Sequence, residues 1–158
     1  MRVLLIHNYY QHPGGEDVVF EQERQLLSTV ASVTTLTFRN RTGWRGAWQT
    51  LWLPWNVFAG ARLKKAIEAS KPDVIHLHNL HYAIGPIAIR VAHRQGIPVV
   101  MTLHNYRLIC PSATLFHQGN IFADSIHAAF PWKAVRLGVH AGSSVKTLWL
   151  ALALWFHR

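Results

Sequence analysis

The sequence is poor in cysteine and in acidic residues, and both shortages exclude whole classes of protein. Only one of the 158 residues, Cys110, is a cysteine, so the chain can form neither an internal disulfide nor a cysteine-based zinc site. Only seven residues are Asp or Glu, and no two of them form an obvious catalytic pair, which argues against a glycosidase. A reducing compartment fits this composition, and we expect a cytoplasmic protein.

Long apolar runs are also missing. The run Val3–Ile6 near the N-terminus is far too short for the core of a signal peptide, so it predicts a first strand instead. The stretch Leu148–Phe156 falls well short of the roughly 18 apolar residues that a membrane-spanning helix needs. The sequence contains neither internal repeats nor low-complexity segments.

What the chain has in excess is positive charge. Sixteen Lys and Arg residues against seven acids give a formal net charge of +9. This balance favours an anionic partner, which could be a phosphate-bearing ligand, a nucleic acid or an acidic membrane surface. No RNA-binding or zinc-finger pattern accompanies the charge, so we predict no nucleic-acid partner. The 50% hydrophobic content suffices for one compact domain over residues 1–158.

Strand-like and helix-like patterns alternate in units of about 30 residues, which predicts a parallel sheet covered by helices. The fold class is therefore α/β, a Rossmann-like three-layer domain with a mostly parallel sheet. Strands are predicted at Val3–His7, Ser32–Phe38, Val74–His78 and Pro98–His104, helices at Glu16–Ser28, Ala47–Ala69 with a break near Pro54, Tyr82–Gln95 and Ser143–Arg158, and loops at Arg39–Gly46 and Asn105–Pro131.

Polar clusters follow three of the predicted strands. In an open parallel sheet, ligands bind at the carboxyl ends of the strands, so three clusters at this position are more informative than one. The clusters are His7–Tyr10 leading to Gly14 and Gly15, His76–His81, and Thr102–Arg107.

Gly14 and Gly15 precede a predicted helix and could bring backbone N–H groups close to a phosphate. An ordinary turn between strand and helix explains them equally well. Glu16 and Asp17 would repel an anion there unless they point away, or one of them could bind sugar hydroxyls.

The histidines suggest two kinds of site. His76, His78 and His81 could bind a metal, but no carboxylate lies close to them in sequence, so we predict no metal and no cofactor. We expect His76 to be a buried, hydrogen-bonded strand residue, and His78 with Asn79 to contact a ligand. His104 should lie on the rim of the cleft, where it could donate to a phosphate or hydroxyl or act in acid–base chemistry.

A tryptophan recurs every three or four residues between positions 44 and 55, and basic residues flank the series. The pattern is typical of an element lying at a membrane interface, but tryptophans packing a helix onto the sheet would produce it too. Both interpretations stay open for Trp44, Trp48, Trp52 and Trp55, with Arg45, Arg62, Lys64 and Lys65.

Three segments together resemble family 4 glycosyltransferases. The segment His7–Phe20, HNYYQHPGGEDVVF, resembles the first strand–helix loop of that family. The segment Lys71–Asn79, KPDVIHLHN, and the segment Gly96–Tyr106, GIPVVMTLHNY, are similar to two of its later strands. The clear similarity covers about residues 1–119.

The resemblance implies the N-terminal, acceptor-side half of a GT-B fold, in which a C-terminal domain binds the nucleotide-sugar donor. It implies that Gly14 and Gly15 approach the donor diphosphate and that His104 lies beside the transferred sugar. By the same resemblance the chain is a retaining glycosyltransferase half, inactive alone, whose acceptor is a cell-envelope or lipid-linked glycan at the inner face of the cell membrane. The predicted substrate-binding residues are Gly14, Gly15, Glu16, His78, Asn79, Asn105 and Tyr106.

Related sequences often carry a cysteine cluster where this chain has Phe122, Ser125 and Val139, so no metal or disulfide role of that cluster is inherited. We expect Cys110 to be structural, and acceptor choice to lie within residues 121–144. The alternative function is a non-catalytic module that binds an anionic glycolipid or membrane surface.

Overall fold

The computed structural model describes residues 1–157 of the chain. Contacts between Cα atoms divide the chain into two compact units, Met1–His104 and the residues from Asn105 onward. The assignment of residues 1–158 to a single domain, to which a separate donor-binding domain would be added, stays a prediction.

The first unit contains one sheet of four parallel strands in the order β2-β1-β3-β4. It confirms the predicted α/β fold with a parallel sheet. The strands are β1 (Arg2–Tyr9), β2 (Ser32–Arg39), β3 (Val74–Leu77) and β4 (Val99–Met101), and the helices are α1 (Gly15–Ser28), α2 (Gly43–Trp52), α3 (Val57–Ser70) and α4 (Ile87–Arg94).

Side-chain alternation along the strands gives the sheet two different faces. Leu4 and Ile6 belong to the main apolar core, which α3 and α4 complete with Leu63 and Ala88. The next residue along β1, His7, points to the opposite face and stacks on Phe20 of α1, with ring centroids 4.6 Å apart. Helices therefore cover both faces, and the predicted Rossmann-like three-layer arrangement is confirmed.

The strand order places a topological switch point between β1 and β3. The chain leaves β1 for β2 on one side of it and later returns to add β3 and β4 on the other side. In open parallel sheets the crevice at such a switch point, outside the carboxyl ends of the strands, is where ligands bind. The loops that follow β1 and β3 therefore frame the position where a site is expected.

The helix predicted at Tyr82–Gln95 was wrong at its start, because α4 begins only at Ile87. Tyr82 and Gly85 both have left-handed backbone conformations, with φ of 72° and 75°, which a right-handed helix cannot contain. A Cβ atom on Gly85 would also lie 2.8 Å from the carbonyl oxygen of Leu53, so the close approach of the two segments requires glycine.

Other boundaries also differ from the sequence-based prediction. The predicted loop 39–46 is shorter, because α2 already begins at Gly43, while the break near Pro54 is confirmed as a single 3₁₀ turn, Leu53–Trp55. The predicted strand Pro98–His104 pairs only over Val99–Met101, since beyond Met101 only the Thr102 N–H continues the pairing, to Leu77.

The second unit is more structured than the predicted loop 105–131. It contains a hairpin of β5 (Phe116–His117) and β6 (Asn120–Ile121), a short helix α5 (Trp132–Leu137) and the predicted C-terminal helix, α6 (Ser144–Trp155). Gln118 and Gly119 at the turn have φ of 47° and 81°, which is typical of a two-residue hairpin turn. Two-residue strands carry too little alternation to be recognised from sequence.

The core of the second unit includes positions at which the family resemblance implied a cysteine cluster. Cys110, Phe122 and Ala134 are buried together, Val139 packs against them, and Ser125 is buried as well. Three of the four positions thus belong to one apolar cluster. Cys110 is a buried free thiol, as its predicted structural role requires.

Within residues 1–157, no helix combines the length and the apolar character needed to cross a bilayer.

The stability of the second unit should depend on pH through His140. Burial, followed by repulsion from Arg107 and Lys146, lowers the pKa of this imidazole to about 4, and Nη1 of Arg107 lies 3.5 Å from its Nδ1. The unfolded chain, whose histidine pKa is about 6.5, binds the proton more tightly than the folded chain. This contribution to stability is therefore complete above about pH 6.5 and is lost as the pH falls toward 4.

We expect the His140→Gln variant to lose less stability than the wild type between pH 7 and pH 4.5, by on the order of 1–3 kcal/mol. Denaturant unfolding at both pH values measures the difference. The exposed His127 supplies the matched control, since His127→Gln should follow the wild type. Equal pH dependence of all three proteins would contradict the prediction.

Candidate functional site

Four imidazoles line one face of the sheet at the carboxyl ends of its strands. His7 lies near the end of β1, His76 and His78 lie on and just after β3, and His104 follows β4. Ring centroids are 6.1 Å apart for His7 and His78, 4.7 Å for His76 and His78, and 5.3 Å for His78 and His104. The predicted convergence of the strand ends is therefore present at the β1/β3 switch point.

The first contact ties helix α1 to the end of β1. Nε2 of the fully buried His7 lies 2.7 Å from Oδ1 of Asp17, and Oδ2 of Asp17 accepts the Gly14 N–H at 3.0 Å. Burial lowers the pKa of His7, and Asp17 partly opposes that shift. Both carboxylate oxygens of Asp17 are thus hydrogen-bonded within the protein, which explains why an acid is accommodated at the start of α1.

His78 is the centre of the histidine group. Its side chain is fully buried, and its Nδ1 lies 3.2 Å from Nε2 of His104. Burial, followed by repulsion from His76, His104 and His7, lowers the pKa of His78 to about 3. His78 is therefore neutral at physiological pH, so one of its ring nitrogens is a donor and the other is an acceptor.

Glu23 of α1 is a site residue that the sequence analysis missed. Its Oε2 lies 3.4 Å from Nε2 of His76 and 3.2 Å from Nε2 of His78. The lack of a nearby carboxylate was the argument against a metal, and the fold supplies one from an earlier helix. A signal was present, because Asp17, Phe20 and Glu23 recur every three residues and so share a face of α1.

His76 has the predicted hydrogen bond, although it is half-buried rather than buried. Its Nε2 lies 2.8 Å from the hydroxyl of Thr102, at the end of β4. The same hydroxyl lies 3.5 Å from Oε1 of Glu23. Burial lowers the pKa of His76, and Glu23 partly opposes the shift. Thr102 thus links the end of β4 to the His76 imidazole and to the Glu23 carboxylate.

Beneath the histidines, asparagines hold the loop that follows β3. Nδ2 of the buried Asn79 donates to the Asn8 carbonyl at 3.1 Å, and its Oδ1 accepts the His81 N–H at 2.9 Å. Nδ2 of Asn8 donates to the His81 carbonyl at 2.6 Å and to Asn40 at 3.0 Å. These bonds give Asn79 a positioning role, and its ligand contact stays a prediction.

The glycines at the start of α1 face open space. A Cβ atom added at Gly14 or Gly15 would have no neighbour within 4 Å, and neither residue adopts a left-handed conformation. Their backbone therefore lies where a molecule from outside can approach closely. Glu16, the next predicted contact, is half-buried.

The comparison with known families agrees with this geometry. The sequence profile described as Glycosyltransferase Family 4 matches residues 13–143, which is most of the chain. The chain belongs to glycosyltransferase family 4. No curated protein and no solved structure is significantly similar to it. Glycosyl transfer is therefore the general chemistry to which the site is related, with a sugar donor and an acceptor as substrates.

Two predicted contact residues of this family 4 glycosyltransferase, Asn105 and Tyr106, begin the second unit. Oδ1 of Asn105 accepts the Arg107 N–H at 3.0 Å, and the Tyr106 N–H donates to the Ala113 carbonyl at 2.8 Å. These bonds shape the start of that unit. A role in substrate binding stays a prediction for both residues.

The tryptophan series of the glycosyltransferase is largely exposed and does not pack α2 onto the sheet. Helix α2 has no buried residue, Trp44 is 76% and Trp48 52% exposed, and Trp52 is half-buried between the rings of Trp48 and Phe58. The interpretation of α2 as a helix packed on the sheet by its tryptophans is therefore wrong. Of the predicted basic residues, Arg62 lies over the Phe38 ring at 4.5 Å, Lys64 lies 3.8 Å from Glu68, and Lys65 is exposed.

The pair of His7 and Asp17 should contribute measurably to stability. We expect Asp17→Ala to lower the free energy of unfolding by about 1–3 kcal/mol, because it leaves the buried His7 Nε2 and the Gly14 N–H without their acceptor. Asp17→Asn keeps one acceptor oxygen and should cost less. Asp124→Ala removes an exposed pair with Lys133 and should cost less than about 1 kcal/mol. Denaturant unfolding measures the series, and equal losses for Asp17→Ala and Asp124→Ala would contradict it.

Proposed function

We propose that the chain is the acceptor-binding half of a retaining glycosyltransferase and cannot transfer sugar alone. In this proposal it moves a sugar from a nucleotide-sugar, bound mainly by a C-terminal domain, to a cell-envelope or lipid-linked acceptor. The family supports glycosyl transfer in general. One observation supports the site assignment: the open Gly14–Gly15 backbone and His104 belong to one group of contacts at the switch point.

In this proposal, hydrogen-bond donors from α1 and from the residues after β4 stabilise the negative charge that develops during sugar transfer. As the bond to a nucleoside diphosphate breaks, negative charge grows on the leaving phosphate, and donors fixed in advance stabilise it. The backbone N–H groups at the start of α1 are such donors, and the helix dipole favours an anion at the same terminus. Asp17 already accepts the Gly14 N–H, so the donors in this proposal are the N–H groups that follow Gly14.

His104 would supply the second donor. When His78 donates from Nδ1, Nε2 of His104 accepts, and the neutral His104 ring then carries its proton on Nδ1. That nitrogen can donate to a sugar hydroxyl or phosphate oxygen. His78 holds the orientation of His104 in this arrangement, while the acceptor hydroxyl must be held near the anomeric carbon by the rest of the unit.

Substitution of these residues in a protein that carries the donor domain tests the site assignment. We expect His104→Ala to reduce transfer by about 10²–10³-fold, because a preorganised donor is lost. Gly15→Leu should abolish donor use, whereas Gly15→Ala should have a smaller effect, since the protein itself leaves room for either side chain. Radiolabelled sugar transfer to a lipid-linked acceptor measures all three.

The exposed His93 supplies the matched control, and His93→Ala should leave transfer unchanged. Normal transfer by His104→Ala or Gly15→Leu would contradict the site assignment. Absence of transfer by the wild type joined to a donor domain, together with membrane binding, would favour the alternative of a non-catalytic glycolipid-binding module. Transfer by the 158-residue chain alone would refute the proposed need for a second domain.

We further propose that α2 and the neighbouring basic residues contact an anionic membrane surface, at the inner face of the cell membrane. Exposed Trp44, Trp48 and Leu51 give α2 an apolar surface, and Arg45 lies over the Trp44 ring at 5.2 Å. Indole rings and basic side chains with apolar stems suit the headgroup region, where apolar and charged groups meet. The net charge of +9 favours anionic lipid.

Vesicle binding tests this surface. We expect the chain to co-sediment with phosphatidylglycerol vesicles more than with phosphatidylcholine vesicles, and less at high salt. Trp44→Ala with Trp48→Ala should weaken binding by about tenfold to a hundredfold, from the loss of two buried indoles. Trp132→Ala removes an indole of comparable exposure from α5 and should have no effect. Equal binding by all variants would contradict the assignment.

A further inference from the structure

We propose that Glu23, His76 and His78 form a binding site for one divalent transition-metal ion, for which Zn²⁺ is the suitable probe. In this group His78 is buried, while His76 and Glu23 are half-buried. The proposal does not depend on the sugar-transfer assignment. It also differs from the sequence-based expectation of no metal. That expectation was based on the absence of a carboxylate close to the histidines in sequence, and α1 supplies one.

The distances between the three side chains fit an ion. Oε2 of Glu23 lies 3.4 Å and 3.2 Å from the two Nε2 atoms, and one ligand atom of each residue lies within 4.8 Å of the others. A tetrahedral ion held at about 2.0–2.1 Å by nitrogen and oxygen ligands separates those ligands by about 3.3–3.4 Å. The two distances from Glu23 to the histidine nitrogens are close to this separation.

The hydrogen bonding at the site is incomplete without an ion. Nε2 of His78 is buried and makes no hydrogen bond to the residues that the structure describes, although a carboxylate oxygen lies 3.2 Å away. Buried polar nitrogens without a hydrogen bond are uncommon and costly. A metal ion placed between this nitrogen and Glu23 would use the lone pair of the neutral imidazole.

The surroundings also orient the ligands as metal sites require. Metal-bound histidines donate their second ring N–H to a neighbour, which fixes the ring. The neighbour of His78 is His104, whose Nε2 lies 3.2 Å from Nδ1. On metal binding, Nε2 of His76 would bind the ion instead of the Thr102 hydroxyl. That hydroxyl would then donate to Oε1 of Glu23, which lies 3.5 Å away.

The ligand types select the class of ion. Two imidazoles and one carboxylate suit Zn²⁺ and related transition metals, whereas Mg²⁺ and Ca²⁺ prefer oxygen ligands only. An ion here would join α1 to β3. It would also fix His78 in the tautomer that donates to His104, and so set which nitrogen of His104 carries its proton.

Metal titration of the chelator-treated chain tests the site. We expect one Zn²⁺ per chain, and Co²⁺ in the same site should give the visible bands of a four-coordinate ion. Glu23→Gln and His76→Gln should each weaken binding by at least roughly 100-fold, since loss even of an outer partner costs about 10–100-fold. Glu68→Gln and His93→Gln change exposed residues of the same types and should bind like the wild type.

Nitrogen NMR of the wild-type histidines provides a measurement that needs no variant. Zn²⁺ should shift the ring nitrogens of His76 and His78, leave His93 unmoved, and fix the tautomer of His104. Shifts confined to exposed histidines, equal weakening by the variants and their controls, or absence of binding would overturn the proposal. None of these readouts involves sugar transfer, so failure of the metal site and failure of the proposed function are distinguishable.

Discussion

The first unit depends on one constraint: imidazoles are buried at the carboxyl end of the sheet, where aliphatic side chains would otherwise pack, and each needs partners. His7 finds Asp17, His78 lies against His104 and Glu23, and His76 finds Thr102. The contacts join α1 to β1, α1 to the end of β3, and the end of β3 to the residues after β4. Burial also lowers the pKa of His7, His76 and His78, because a charged imidazole would lose its hydration there. The need to satisfy these groups therefore determines where α1 and the end of β4 lie.

The opposite face of the sheet is mainly apolar. There, α3 and α4 pack on Leu4, Ile6, Ile75 and Leu77 without any need for specific partners. The two faces differ because side chains alternate along a strand, so consecutive residues of β1 and β3 point to opposite faces of the sheet. One face contributes burial of apolar surface and the other contributes fixed positions for chemistry.

Much of this could be predicted from the sequence. The alternation of strand-like and helix-like segments indicates the parallel sheet, and the polar residues after the predicted strands indicate the site. Polar clusters were expected at the carboxyl ends of β1, β3 and β4, and His7, His78 and His104 lie there. Glu23 was missed because its partners lie on a strand far along the chain, and no local pattern shows which helix face meets which strand end. The late start of α4 was missed because backbone conformations such as that of Tyr82 are set by the packing of Gly85 against Leu53.

Helix α2 carries a consequence for folding. It is ten residues long, none of them is buried, and two of them are glycines, whereas isolated helices of such length are marginal in water. The Gln49 side chain, in the later half of α2, bonds the backbone of Arg39 and Arg41 and holds the helix from one side. Whatever covers its indole rings would therefore also complete its folding. Binding to that surface and the helical order of α2 would then be linked equilibria. Protease resistance across residues 43–52 would rise when the surface is covered and fall when it is exposed.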